Sequence, residues 1–423
     1  MRLSVYVGVA STLYVAVVAA LAPQWRATGC PVQTQANHSN ICECLSFDEI
    51  RCRHLDKVPT FIGNGREYSA IFMSHQNIPG IPRGAFFDLR VRKIVLNWNP
   101  LGNGVNERAF SGLGETLVEL QMGGCRIKSL PDRLFQGLQN LRVLHLWGNK
   151  LDKLPTGIFR DTPQLEELLL WGNRIRRLDD MLFSGLGNLL RLDLDCNRLT
   201  DLDRESFRHM PKLEALRLGG NKINSLFARR LEHLTNLKVL NLDSNGLAFL
   251  FPEAFAGLSG LRSLRMRHNQ IDFIPDSIFK NLRNLTSLLL HDNKLKTVWP
   301  RTFDGLDSLQ TLDLSRNFIS ELPDGLLQRR TKLRQLLLDG NSLNTLRKCV
   351  LPRHAKMKTL SLTGNPVECD CRLAWTVKMS DGGVTVWGTC STDPDGSLAG
   401  VTNRRVYEMA SCSFSNPDCS RNT

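Results

Sequence analysis

The sequence predicts an α/β solenoid. One short strand per repeat stacks into a curved parallel β-sheet on a concave face, with loops and short helical turns outside. Three observations carry this. From Leu117 to Met357 an apolar pattern restarts every 24 residues without slippage. Cysteines gather near both ends of the chain, where an open stack needs closing. Aromatic residues are only 7% of the 423, so the core must rest on leucine. The 42% apolar and 22% charged content is that of an ordinary folded chain and excludes a disordered one.

At the N-terminus, Arg2 precedes an apolar stretch running from Leu3 to about Ala22, with Val18-Ala19-Ala20 suited to cleavage. This pattern predicts a secretory signal peptide over 1–22. No second apolar tail follows, so neither a transmembrane span nor a lipid-anchor signal is expected. An exported chain with twelve cysteines is read as disulfide-bonded rather than metal-binding. Four cysteines lie near the start (Cys30, Cys42, Cys44, Cys52) and four near the end (Cys369, Cys371, Cys390, Cys412). Both groups carry Cys-x-Cys rather than the Cys-x-x-Cys of zinc sites. Cys125, Cys196, Cys349 and Cys419 are left without an assigned state.

Two looser repeats, at Tyr68 and Val91, precede the regular ones, making thirteen copies of L-x-x-L-x-L-x-x-N-x-L, the leucine-rich repeat. Leucines at the first, fourth, sixth and eleventh places point inward and are buried only by stacking. The ninth place is Asn in eleven of thirteen repeats, with Gln76 and Cys125 as exceptions. An inward amide both donates and accepts, so this ladder is expected to satisfy backbone groups at the turn. Phe86, Phe135, Phe159, Phe183, Phe207, Phe255, Phe279 and Phe303 recur at the nineteenth place as a second spine. The expected organisation is a cap over 30–67, repeats over 68–364, a second cap over 365–412 and a tail over 413–423. Trp375 and Trp387 are expected to cover the last repeat. Caps are needed because open strand edges invite aggregation.

The flanking cysteines resemble the caps of extracellular leucine-rich-repeat proteins such as Slit, the lamprey variable lymphocyte receptors and the Nogo receptors. The likeness to the Nogo receptor family rests on Ala70-Ile71-Phe72-Met73 opening the first repeat and on a 26-residue repeat at Val91 followed by one with Cys125 in the Asn place. In the second cap it rests on Cys390-Ser391, Leu398-Ala399-Gly400 and Cys412. The resemblance implies pairing of Cys30 with Cys44, Cys42 with Cys52, Cys369 with Cys390, and Cys371 with Cys412. It also implies a receptor or co-receptor that binds a protein ligand. The spacing of Cys30 and Cys42 is longer than that family's, and its stalk and anchor tail are absent. A secreted matrix protein similar to chondroadherin, holding glycosaminoglycan or collagen, is therefore the alternative.

No phosphate-binding loop, zinc-protease helix or nucleophile turn occurs, so no enzyme, cofactor or metal is expected. Repeat acids such as Asp193 are expected on an open sheet with nothing to shift their pKa. The formal charge of +13 falls mostly on the repeats. Their strand-surface positions balance acid and base, which leaves the excess on the flank and outer arc. There, Arg126, Lys150, Arg174, Arg198 and Lys222 fill the tenth place of five successive repeats, thickened by Lys128, Arg176 and Arg177. This column predicts a glycosaminoglycan site; export argues against nucleic acid. On the concave face Trp147 and Trp171 occupy the seventh place of adjacent repeats, with Trp98 one place further along its own. His145, Glu167, Leu169, Arg191, Asp193 and Asp195 surround them, and Arg217, Arg262, Arg265 and Arg267 are expected as a basic counterpart. Aromatics ringed by charge are the composition of a protein-binding hot spot. Asn37 and Asn284 stand in glycosylation sequons.

Overall fold

The computed structural model describes residues 41–44, 48–352, 356–368, 373, 375–390 and 393–397. The signal segment, Cys30, Asn37, Cys369, Cys371, Cys412, Cys419 and the tail lie outside the described residues. The chain divides between Asn149 and Lys150 into two compact units.

In the first unit, Ile41–Cys44 pairs antiparallel with Glu49–Arg53, setting Cys42 opposite Cys52, and a disulfide joins the two. Glu49–Arg53 then pairs parallel with Ala70–Phe72, followed by Lys93–Val95, Glu119–Gln121 and Val143–His145. Across these strands Ile50, Ile71, Ile94, Leu120 and Leu144 align, and all five are fully buried. The expected N-terminal cap is thus a strand pair laid on the open edge of the stack and pinned by Cys42–Cys52.

The second unit continues the same architecture in ten parallel strands, from Glu167–Leu169 to Thr385–Trp387. The fourth-place leucines stand in register from Leu168 to Leu360, and Val386 takes the last position. Each such side chain contributes roughly 1.5–3 kcal/mol by leaving water. Outside the strands the chain runs through turns closed three residues apart, such as Leu182 N–H to Asp179 O at 2.9 Å. Helical elements include Trp375–Asp381 and a 3₁₀ turn at Lys348–Val350. Both units are parallel-strand solenoids, as the period predicts.

The asparagine ladder does what its chemistry allows. Asn221 donates through Nδ2 to the carbonyls of Leu194 and Leu218, both at 2.9 Å, and accepts from Leu199 N–H at 3.0 Å. Asn149 repeats this in the first unit. Where Cys125 replaces Asn, its Sγ reaches the carbonyls of Leu96 and Gly123, and burial pushes the thiol up to about 11. The phenylalanine spine is fully buried and stacked, with ring centroids 5.6 Å apart for Phe255 and Phe279. Phe110 joins it at 5.8 Å from Phe86. The nineteenth-place count misses Phe110 because it stands at the twentieth place of the 26-residue repeat at Val91. At the far end Trp375 is buried and its Nε1 donates to Leu346 O at 3.1 Å, as a capping side chain should. Trp387 is a correction: it is 51% exposed, because strand alternation turns Val386 inward and Trp387 out.

Candidate functional site

The eighth place of all thirteen repeats has a left-handed backbone, with φ between 52° and 72°. Glycine fills it in six of them, at no steric cost. Trp98 fills it at φ 63° and is still 53% exposed. A bulky residue held in that region is a strained choice, and strain of this kind concentrates at functional positions.

Around Trp98 the first unit builds an aromatic cluster. His75, also at an eighth place, stacks on Trp98 at 6.0 Å, and Trp147 meets it edge-on at 5.4 Å. Room for both indoles comes from Gly123-Gly124. A Cβ at Gly123 would lie 2.2 Å from the Trp147 ring, and one at Gly124 would lie 2.6 Å from Trp98. Polar groups border the cluster. Lys93 Nζ lies 3.1 Å from Glu119, Asn97 donates to Gln121 at 2.8 Å, and Gly123 N–H donates to Asn97 Oδ1 at 2.7 Å. His145 stands half-buried on its strand nearby in sequence. The sequence signalled Trp98 and Trp147 but not His75, Gly123 or Gly124. Their eighth- and seventh-place register was the signal available.

Trp171 belongs to the second unit, where it is 39% exposed, with Leu169 half-buried on its strand. The charged residues predicted there do come together, but as pairs. Arg191 bonds Glu167 at 2.7 Å and Arg217 bonds Asp193 at 3.3 Å. Arg265 and Arg267 both bond Asp243, at 3.0 and 2.7 Å. Of the expected basic counterpart, Arg217 therefore pairs with Asp193, Arg265 and Arg267 share Asp243, whose role the sequence reading missed, and among the described residues Arg262 has no carboxylate partner.

The acids also depart from expectation. Burial raises Asp193 above the ordinary carboxylate range, against the pull of Arg217. Burial, and then the Asp193 charge, push Asp195 up to about 6. Asp195 Oδ1 accepts from Gly219 N–H at 2.6 Å, which fixes it beside Asp193. The sheet is open, yet neighbouring turns of the stack desolvate these carboxyls enough to shift them.

On the flank, Arg126 and Lys128 in the first unit are exposed, as are Lys150, Arg174, Arg176, Arg177, Arg198 and Lys222 in the second. Arg176, Arg177, Arg198, Thr200 and Lys222 line one depression. Further along this unit an unpredicted apolar surface appears. Phe227 and Phe251 stack at 4.7 Å, Arg230 lies 5.4 Å from the Phe227 ring centroid, and Phe249 is 63% exposed.

Comparison with known families places the fold by sequence. The profile described as "Leucine rich repeat" matches residues 115–175, 163–223, 216–271, 267–317 and 307–367, together more than half of the chain. This chain is a leucine-rich-repeat protein. Comparison with curated proteins returned no match. Among solved structures, a chain of the TLR13–ssRNA13 complex is similar at 23% identity and TM-score 0.53, over 79% of this chain and 60% of that one. A Leptospira interrogans LRR protein is similar at 24% and TM-score 0.56, over 75% and 89% respectively. A chain of the octameric complex of Latrophilin 3, Unc5D and FLRT2 is similar at 20% and TM-score 0.55, over 88% and 99%. The likeness is one of fold. This leucine-rich-repeat chain spans little more than half of the longer neighbours, covering 54% of a chain of the Drosophila Toll–Spatzle complex.

Besides Cys42–Cys52, both Cys44 and Cys349 of this leucine-rich-repeat protein are disulfide-bonded, whereas Cys125 is a buried free thiol and Cys196 an exposed one. Asn284 is exposed, but its Nδ2 already donates to Ser259 O at 3.0 Å. Asn188 and Asn236 make the same bond at the same place of alternate repeats, so this sequon asparagine also has a structural use. Among the described residues no helix is long and apolar enough to cross a membrane.

Proposed function

We propose that this chain is an extracellular recognition module, receptor- or co-receptor-like in the manner the Nogo receptor resemblance implies. A protein partner docks on the strand face of its first unit. The carrying observation is the His75–Trp98–Trp147 cluster, half-exposed, cleared by two glycines and anchored on a left-handed tryptophan. A large exposed ring in a costly conformation, next to a paired polar rim, is how a binding hot spot is built. The disulfides and the apolar leader favour an oxidising, exported setting.

The test is proximity capture of secreted and cell-surface proteins by the parent chain and by a Trp98→Ala/Trp147→Ala variant. A partner retained by the parent should bind the variant at least about thirtyfold more weakly, the scale of two hot-spot truncations. Equal binding by a folded variant would move the functional face elsewhere.

A further inference from the structure

The second unit carries a cation site distinct from the aromatic face. Its tenth-place backbone is held in register by the stack: Arg174 N–H donates to Leu151 O at 2.8 Å, Arg198 to Ile175 at 2.9 Å and Lys222 to Leu199 at 2.8 Å. Three cationic side chains therefore leave successive turns from equivalent points, about 4.8 Å apart. Arg176 and Arg177 stand beside them, and with Arg198, Lys222 and Thr200 they wall one depression. On the strand face of this unit Arg191, Arg217, Arg265 and Arg267 all have carboxylate partners. Among the described residues, none of the five flank cations has one. Of the acids close to them in sequence, Asp179 accepts from Thr156 Oγ1 at 3.2 Å, and Asp201 and Asp203 face Arg230 at 3.8 and 3.9 Å. An uncompensated row of like charges, fixed in register, is a surface whose counter-charge comes from outside.

We infer that this flank binds a sulfated polysaccharide chain lying along the column. A single phosphate is too short to meet three turns, so the ligand is a linear polyanion. The lining residues include no aromatic ring, and single-stranded nucleic acid sites need rings on which bases stack. Sulfate groups on a carbohydrate backbone require only cations and a hydroxyl such as that of Thr200.

The test uses the full chain and a size-defined heparin oligosaccharide at physiological salt, with de-sulfated heparin and single-stranded RNA as parallel probes. The variant Arg174→Ser/Arg177→Ser/Arg198→Ser/Lys222→Ser should lose at least about tenfold in heparin affinity and show a shallower salt dependence. A control with the same charge change elsewhere, Lys280→Ser/Arg283→Ser/Arg301→Ser/Lys332→Ser, should lose less than about twofold, because the cations it removes lie outside the column. Equal losses in the two variants would assign binding to net charge and overturn the site. So would an absence of heparin binding by the parent, or binding that survives de-sulfation. RNA binding as tight as heparin binding would replace the polysaccharide with nucleic acid.

Discussion

Trp98 keeps a left-handed backbone that disfavours a side-chained residue by about 1–2 kcal/mol. Trp98→Gly removes that strain together with the ring, whereas Trp98→Ala removes the ring and keeps the strain. The glycine variant should thus be more stable than the alanine variant by about 1 kcal/mol, read from urea midpoints. The two glycines beneath the cluster allow a complementary test. Gly123→Ala would place a methyl 2.2 Å from the Trp147 ring without a left-handed penalty, so it should displace the indole and shift tryptophan fluorescence. Gly148→Ala, whose Cβ would find only backbone at 3.5 Å, should cost stability without that spectral change. Asp195 gives a pH-dependent test. Its folded pKa is raised from 3.8 to about 6, so its favourable contribution is complete below about pH 4 and is lost as pH rises through 6. Asp195→Asn should melt like the parent near pH 4 and be more stable above pH 7, by about 1 kcal/mol once solvent screening is allowed for. The left-handed eighth place was legible in its six glycines, but Trp98 and His75 hide the same requirement behind side chains. The Asp195 shift was not legible, because the residues that desolvate it come from turns separated by whole repeats.

Within one repeat, the strand, the asparagine turn and the phenylalanine layer were readable because each is a fixed place in a fixed period. Asn221 shows why the ninth place resists substitution. Asn221→Ala strands the buried Leu199 N–H and leaves the Leu194 and Leu218 carbonyls to Asn197 and Asn245, so it should lower unfolding stability by about 2 kcal/mol in a urea titration. Phe110 and Trp387 mark where element-level reading breaks down. The longer repeat at Val91 moved Phe110 off the counted place, and in the final strand alternation decided the direction of Trp387, whereas size and hydrophobicity suggested a core role. The exposed Phe227–Phe251 stack was passed over for a related reason. Its residues sit outside both the eleven-place motif and the nineteenth-place spine, so neither pattern makes them conspicuous.

At the scale of the chain, stacking leaves each turn in contact only with its neighbours, so stability is a sum of local interfaces and the ends matter disproportionately. The Cys42–Cys52 bridge closes a loop of 10 residues at one such end. Replacing both cysteines with serine should reduce stability by about 2–3 kcal/mol, seen as an early denaturation step rather than a uniform shift. The repeat period alone sufficed for the fold class, since period, ninth-place amide and buried leucine all specify one answer. The proposed binding surfaces were only half visible, because pairing of charges and clearance beneath rings are properties of neighbours in space. The uniform left-handed eighth place has a further consequence. His75, Trp98, Cys196, Ser244, His268, Asp292 and Arg316 share one backbone conformation and lie outside the leucine core. They behave as interchangeable letters, one to a turn, within each unit. Duplication or loss of one 24-residue turn would insert or delete a single letter while every remaining line of the core stayed aligned. A lineage carrying this scaffold can therefore revise its recognition text without renegotiating its fold.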